Sequence, residues 1–354
     1  MSESNPLIKV RRRLGRTKRY LKRKLYERNI GKNYTAWLVQ ASEQTPGSVT
    51  FPTTISIVIP VYNPPIQFLT QCIESVVNQS ATNWQLVISN DGSTHPSVND
   101  YLTKLAATNN PKITILNNEN GGISAAINAG LERATGEYFG MLDHDDALDV
   151  RCIEEFSKAI EQNNHPEAIY SDEDKINPGN QHSELYCKPD FSPELLLTQM
   201  YLCHFTIWKT QMVKEVNGLR SEMDWAQDFD LALRLLPQLA APQAHVVHLP
   251  LPLYHWRAWS ESTALTIEAK PWAQQAAARA QQDYLNTAFG GGTVEPSQVQ
   301  GLNEIHPIAP KTKVSVIIPT ALTLNEKTKK PFVFAAIETL KRQESDTDFE
   351  IIVV

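Results

Sequence analysis

The stretch Ile55-Ser-Ile-Val-Ile-Pro-Val-Tyr-Asn63 decides the fold. Its first five residues are almost wholly apolar and β-branched, the mark of a strand buried on both faces, and Pro60 is expected to stop it. Downstream, Ile66 to Gln79 has the spacing of an amphipathic helix. Trp84 to Ser89 repeats the buried-strand pattern and runs into the polar turn Asn90-Asp91-Gly92-Ser93. Lys112 to Leu116 reads as a third strand, Ile123 to Ala134 as a helix, and Glu137 to Leu142 as a fourth strand. That strand ends at Asp143-His144-Asp145-Asp146, and a further helix is expected from about Leu148 to Asn163. Strands alternating with helices at this spacing predict an α/β fold, a Rossmann-like, mostly parallel sheet flanked by helices. Ligands of such sheets bind beyond the carboxyl ends of the strands. Pro60, Asn90-Asp91 and the Asp143 cluster all fall there.

Beyond Tyr170 the pattern loosens, as suits a region that receives a second substrate. A strand-like run ends at Leu253-Tyr-His-Trp-Arg257, and Pro271 to Phe289 reads as a closing helix before Gly290-Gly-Gly292. An internal repeat follows. Val314-Ser-Val-Ile-Ile-Pro319 copies Ile55-Ser-Ile-Val-Ile-Pro60, Ala336 to Gln343 echoes Cys72 to Gln79, and Phe349-Glu-Ile-Ile-Val353 echoes Trp84-Gln-Leu-Val-Ile88. The second copy has no acidic cluster and cannot catalyse alone. The expected organisation is a basic helical extension over 1–50, a catalytic α/β domain over 51–265, a helix and linker over 266–310, and the truncated start of a second such domain over 311–354.

Composition sets outer bounds. The 354 residues suggest about two domains, and an apolar fraction of 42% with 20% charged residues is ordinary for a globular chain. Cys72, Cys152, Cys187 and Cys203 stand far apart with no Cys-x-x-Cys pair, and no secretory pattern opens the sequence, so a reduced, cytoplasmic setting is expected. No stretch approaches the roughly 18 apolar residues of a membrane span. Lys9 to Arg28 holds eleven Lys or Arg residues and one acid, Glu27; removing this +10 segment from a chain of net charge −6 leaves −16 for the remainder. Val10, Leu14, Leu21 and Leu25 fall on one face of that segment as a helix. Such a helix either lies on an anionic membrane surface, on the inner face of the cell membrane, or is a solvated basic tail. The acidic remainder and the lack of any nucleic-acid motif speak against nucleic acid as a partner.

Six motifs occur in order: Ile59-Pro-Val-Tyr-Asn63, Asn90-Asp-Gly-Ser93, Asn120-Gly-Gly-Ile-Ser-Ala-Ala-Ile-Asn128, Leu142-Asp-His-Asp-Asp146, Gln227-Asp-Phe-Asp230 and Tyr254-His-Trp-Arg257. Together they resemble the family 2 glycosyltransferases of the GT-A fold over roughly residues 53 to 265. Tyr170-Ser-Asp-Glu-Asp-Lys175 and Lys188-Pro-Asp-Phe-Ser-Pro193 resemble the branch that builds bacterial surface polysaccharides, O-antigen and rhamnosyltransferase-like enzymes among them. The resemblance implies inverting transfer of a sugar from a nucleotide-sugar donor to a hydroxyl of a glycan or lipid-linked glycan acceptor. The diphosphate leaving group develops charge, which a hard divalent cation on oxygen ligands stabilises. Mg2+ or Mn2+ is the expected cofactor.

By that resemblance the D-x-D motif is Asp143-His144-Asp145, with Asp145 the direct ligand and Asp143, Asp146 and His255 as further metal candidates. For Asp146 the alternative is a helix N-terminal acid. Donor-binding candidates are Pro60, Tyr62, Asn63, Asp91, Gly121, Gly122, Asn128, Asp143 and Arg257; for Asp91 the alternative is a turn former before Gly92. Pro64 stands where relatives often carry an acid, and Ile127 where many carry a base. Inversion needs a general base for the acceptor hydroxyl, and Asp228, in Gln227-Asp228, is the candidate; Asp230 is expected to be structural. Leu231-Ala-Leu-Arg-Leu235 replaces the Q-x-x-R-W signature of polymerising relatives, so single rather than processive addition is expected. Asp172, Glu173 and Asp174 form a second acidic cluster that faces the transferred sugar or acceptor, or else caps a strand. A sugar nucleotidylyltransferase would need a Gly-rich, Arg-bearing loop after the first strand, and a dehydrogenase G-x-G-x-x-G there; Pro60 to Pro65 is neither. A non-catalytic scaffold in a polysaccharide assembly stays open as an alternative.

Overall fold

The computed structural model describes residues 34–39, 45–259, 271–299, 302–308, 313–343 and 348–354, so the basic segment 9–28 lies outside the described residues. These residues form two compact units, one reaching to Gln281 with Glu295–Glu304 added, the other comprising Gln282–Val294 and the residues from Ile305 onward.

The first unit opens with a helical turn, α1 (34–39). Then come β1 (Ile55–Val61), α2 (Ile66–Val77), β2 (Trp84–Asp91), α3 (Pro96–Ala107), β3 (Ile113–Asn118), α4 (Ile123–Arg133), β4 (Tyr138–Met141), β5 (Ala147–Leu148) and α5 (Cys152–Gln162). The second half adds β6 (Ala168–Ile176), β7 (His182–Tyr186), α6 (Pro193–Thr198), β8 (Thr206–Lys209), α7 (Thr210–Glu215), α8 (Gln227–Leu239) and β9 (Val246–Arg257). The strands order as β3-β2-β1-β4-β8-β6-β9-β5, with β7 also paired to β6. From β3 to β4 the sheet is parallel; β8 then runs antiparallel between β4 and β6, and β9 returns parallel to β6.

Every residue of β1 is buried, as its nearly continuous apolar run predicts for a strand covered on both faces; the one polar residue, Ser56, donates to Gln85 Oε1 at 2.6 Å. Helix α2 lays Leu69, Cys72, Ile73 and Val76 into the same core as β1, each large side chain contributing roughly 1.5–3 kcal/mol by leaving water. On the other face Gly130 of α4 meets Val58, where any Cβ would collide at 2.4 Å. Three elements differ from expectation. Pro60 does not stop β1: β4 pairs with β1 only over Ile55–Val58, so the missing N–H removes no ladder bond on that side. Helix α3 was not expected, because only Val98 and Leu102 of its twelve residues are buried. The helix after the acidic cluster begins at Cys152 rather than near Leu148, because Ala147 and Leu148 pair with His255 and Tyr254 instead.

Helix α9 (Pro271–Phe289) has the span read from the sequence; β10 (Gly292–Pro296) and β11 (Asn303–Pro307) form a two-stranded sheet. The second unit contains β12 (Val314–Ile318), α10 (Phe332–Lys341) and β13 (Phe349–Val353). β12 and β13 are parallel, with Val314 opposite Phe349, the register that β1 and β2 share in Ile55 opposite Trp84. The sequence repeat is thus a repeat of β-α-β geometry.

Candidate active site

The acidic loop leaves β4 beside the ends of β1 and β2, and each anchor follows from a neighbouring element. The buried Cys72 thiol of α2 donates to the Asp143 carbonyl at 3.3 Å, and His144 Nδ1 lies 3.0 Å from the Pro60 carbonyl. Asp146 is buried, and its carboxylate accepts the Tyr254 hydroxyl and the Arg257 amide, the latter at 2.7 Å. Burial pushes the Asp146 carboxyl well up, Asp145 and Asp143 push further, and these two hydrogen bonds oppose. Asp146 is therefore an anchor to β9, and no helix starts there for it to cap.

Arg257 is fully buried. Its Nε donates to the Asp145 carbonyl at 2.7 Å, NH1 donates to Asn180 Oδ1 at 2.7 Å, and the guanidinium lies over the Phe68 ring at 4.7 Å. The side chain braces the acidic loop from beneath. Trp259, which the sequence reading did not single out, donates its indole N–H to Asp145 Oδ2 at 2.7 Å and packs edge-on to Phe68. The end of β9 thus closes against Asp145.

Asp143 is different. No hydrogen bond reaches its carboxylate among the described residues, and burial raises its pKa above the ordinary carboxyl range. His204 and His144 oppose that rise, while Asp145 and Asp228 add to it. The field at Asp143 therefore ties together β4, the loop before β8 and the start of α8. Asp228 stands at the second position of α8, half-buried, with Oδ1 accepting the Phe229 amide at 2.8 Å. His204 carried no spacing signal in the sequence. Its ring stacks on Tyr254, centroids 4.7 Å apart, and its amide donates to Glu173 at 3.0 Å.

Asp91, at the end of β2, is buried. Its oxygens accept the amides of Gly121 at 2.8 Å and Gly122 at 3.1 Å, and the Asn120 side chain at 3.2 Å. Asp224 lies against the same turn: its carboxylate accepts the Ser124 amide at 3.3 Å, and a Cβ on Gly122, whose φ is +90°, would meet it at 2.7 Å. Two carboxylates thus occupy the N-terminus of α4, which the helix dipole favours. Asn128 is turned elsewhere, exchanging bonds of 2.8 Å with both the amide and the carbonyl of Leu219. Asn63, at φ 47°, accepts the Thr94 and His95 amides at 2.8 and 2.9 Å and so fastens the β1 and β2 loops together. Tyr62 beside it is 51% exposed.

The second acidic cluster caps no strand end; it lies along β6, and each acid has partners. Asp172 takes the Lys188 amide and His248, Glu173 takes the buried Lys188 ammonium at 3.1 Å, and Asp174 takes His182 and His255. Burial alone would raise the Asp174 carboxyl; the His182 and His255 hydrogen bonds outweigh it and hold it below the ordinary range. His255 belongs to this group: its Nδ1 is 2.7 Å from Asp174, and its Nε2 faces Asp149 at 3.9 Å. Asp230 is wholly buried between Arg220 and Arg234, as a structural acid.

An α/β unit with acids gathered beyond the carboxyl ends of its parallel strands is the GT-A arrangement. Residues 56–215 match the model of glycosyl transferase family 2, and the first unit carries a glycosyltransferase domain of that family. The chain is similar to an uncharacterized protein of Sinorhizobium fredii, 36% identical over 305 residues, which cover 85% of this chain and 32% of that one. It is similar to the O-antigen biosynthesis protein RfbC of Myxococcus xanthus, 28% identical over 91% of this chain and 25% of that one. It is also similar to the chondroitin synthase of Pasteurella multocida, 33% identical over 51% of this chain and 18% of that one. The chain spans a third or less of the length of these relatives.

Proposed function

We propose that the first unit transfers a sugar, with inversion and one residue at a time, from a nucleotide-sugar to a hydroxyl of a glycan or lipid-linked glycan in cell-surface polysaccharide synthesis. The observation that carries this reading is the Asp143 carboxylate, unpartnered among the described residues and crowded by Asp145 and Asp228 beyond the strand ends. Closely placed carboxylates, one of them accepting no hydrogen bond among the described residues, suit a hard divalent ion. Asp143 and Asp145 would hold Mg2+ or Mn2+, which when bound offsets charge on the leaving diphosphate. Asp145 enters that role already oriented by Trp259. Tyr62 offers an exposed ring on which a base stacks, and Asp91, by holding the 120–122 turn, shapes the floor beneath the nucleoside. Asp228 accepts the acceptor's hydroxyl proton on the oxygen that Phe229 leaves unbonded. The similarity to an O-antigen biosynthesis protein supports the polysaccharide setting.

Among the described residues no helix is long and apolar enough to cross a membrane. The basic segment 9–28 is proposed to hold the chain on anionic lipid, with cations screened over about 8 Å at physiological salt. Retention on anionic vesicles at low salt that disappears at high salt supports this; indifference to such vesicles refutes it. The transferase reading is tested by donor turnover with and without Mn2+. Loss of turnover in chelator and in Asp145→Ala supports it, and full turnover in either removes the metal from the reaction.

A further inference from the structure

Three adjacent strands bring two imidazoles and a carboxylate to one spot on the sheet. Asp174 of β6 stands opposite His255 of β9, and Ile176, two residues on and on the same face, stands opposite His182 of β7. His255 Nδ1 is 2.7 Å from one Asp174 oxygen and His182 Nδ1 is 2.8 Å from the other. One ligand atom from each of the three residues lies within 4.8 Å of the other two. We propose that Asp174, His182 and His255 form a binding site for a borderline transition cation of the zinc type, separate from the acidic pocket of Asp143 and Asp145.

Four features support it. The first is distance: bonds of about 2.0–2.2 Å to nitrogen and oxygen place ligand atoms roughly 3–3.5 Å apart, so an ion enters with small side-chain adjustments. The second is donor type, because two imidazoles favour zinc, cobalt or nickel over the oxygen-seeking magnesium of a diphosphate site. The third is the surroundings of His255. Its Nε2 faces the Asp149 carboxylate at 3.9 Å, and Asp149 is itself held by Arg151 at 2.9 Å. At 3.9 Å this is a charge contact and not a hydrogen bond; it favours a proton on the far nitrogen Nε2, which leaves the near one for the ion. The fourth is access: Asp174 and His255 are buried, whereas the His182 side chain is 26% exposed and opens the group to solvent. The Tyr34 hydroxyl donates to the same Asp174 carboxylate, so the site also reaches α1.

An ion here would clasp β7, β6 and β9 together and bring residues 34–39 with them. β9 is the strand whose Tyr254 and Arg257 anchor the acidic loop, so the clasp would steady that platform without touching a substrate. The proposal does not depend on the transfer reaction, and its test reads metal rather than activity.

The full chain, stripped with chelator and returned to buffer containing excess Mg2+, is titrated with Zn2+ by calorimetry, and metal content is measured after desalting. One zinc per chain should be retained. His182→Ala should weaken binding at least 10–100-fold, the range seen when even the outer partners of a metal ligand are removed. His182→Cys should restore binding, and Asp145→Asn should bind zinc as the unaltered chain does. With Co2+ in place of zinc, the visible ligand-field spectrum should change in His182→Cys. The proposal is overturned if the unaltered chain retains no zinc, if His182→Ala binds it equally well, or if Asp145→Asn loses it. The unaltered chain and Asp145→Asn decide the matter even if a His182 variant fails to fold.

Discussion

Asp143 carries a charge that folding opposes, since burial and the Asp145 and Asp228 carboxylates all favour its protonated form. Asp143 is half-buried, so lacking a partner costs it at most the roughly 1–3 kcal/mol of a fully buried group. Asp143→Asn removes the charge and keeps the shape, but its amide is unpartnered too, so a net gain of about 1 kcal/mol is expected in metal-free protein. For a unit of this size that raises Tm by about 2–4 °C. The pH dependence has a definite sign. A folded-state pKa above the unfolded one means that the folded chain holds the proton more tightly. The unaltered protein therefore gains stability as pH falls through the raised Asp143 pKa and loses it as pH rises. The advantage of Asp143→Asn should accordingly be full at neutral pH and shrink on acidification toward the ordinary Asp range near about 4. The assay is urea unfolding in chelator across that range, repeated with Mn2+ and a panel of nucleoside diphosphates. With a bound nucleotide and metal the order should reverse, because only the unaltered chain is stabilised by them. A metal-free Asp143→Asn that is less stable at neutral pH would show Asp143 to be a structural acid.

Asp228→Asn should keep donor affinity and lose transfer by on the order of 10² to 10⁴-fold; a collapse of donor affinity with the chemical step intact would make Asp228 a binding residue. Asp230→Ala removes a buried acid from between two partly exposed arginines and should cost about 1–3 kcal/mol in urea unfolding; a loss below about 0.5 kcal/mol would show that the ion pairs contribute no more than surface pairs do. Deleting residues 313–354 should leave the first unit folded with donor turnover unchanged, by circular dichroism and kinetics, because β12 and β13 pair only with each other among the described strands. Unfolding of the remainder would place those residues in the catalytic domain.

The parallel half of the sheet was legible because strands covered on both faces are dominated by apolar residues, as Ile55 to Ile59 and Trp84 to Ile88 are apart from Ser56 and Gln85, which hydrogen-bond to each other. The repeat was legible for the same reason, down to the register of Val314 against Phe349. The mixed half was not. β5 has two residues and β8 four, too short for a period, and their pairing with β9 and β4 is decided by contacts distant in sequence. In the site, the sequence located the acids but not their partners. Nothing local distinguishes Asp146, whose oxygens are taken by Tyr254 and Arg257, from Asp143, whose carboxylate accepts no hydrogen bond among the described residues. Asn128 lay in a donor-loop motif yet clasps Leu219. Arg257 looked suited to a phosphate but is buried beneath the acidic loop. His182 and His204 are single histidines with no spaced partner, and only the folding of β7 and the β8 loop brings them to their neighbours.

Asp143 and Asp145 are proposed to hold a divalent ion against a nucleotide diphosphate. Calorimetric titration of uridine, thymidine and guanosine diphosphates into the chain, with Mn2+ and then with chelator, tests it most directly beside the same titration of Asp145→Ala. At least one nucleotide should bind with Mn2+, lose that binding in chelator, and fail to bind Asp145→Ala. Equal binding with and without metal, or by Asp145→Ala and the unaltered chain alike, would show that no ion held by these acids joins the nucleotide to the protein.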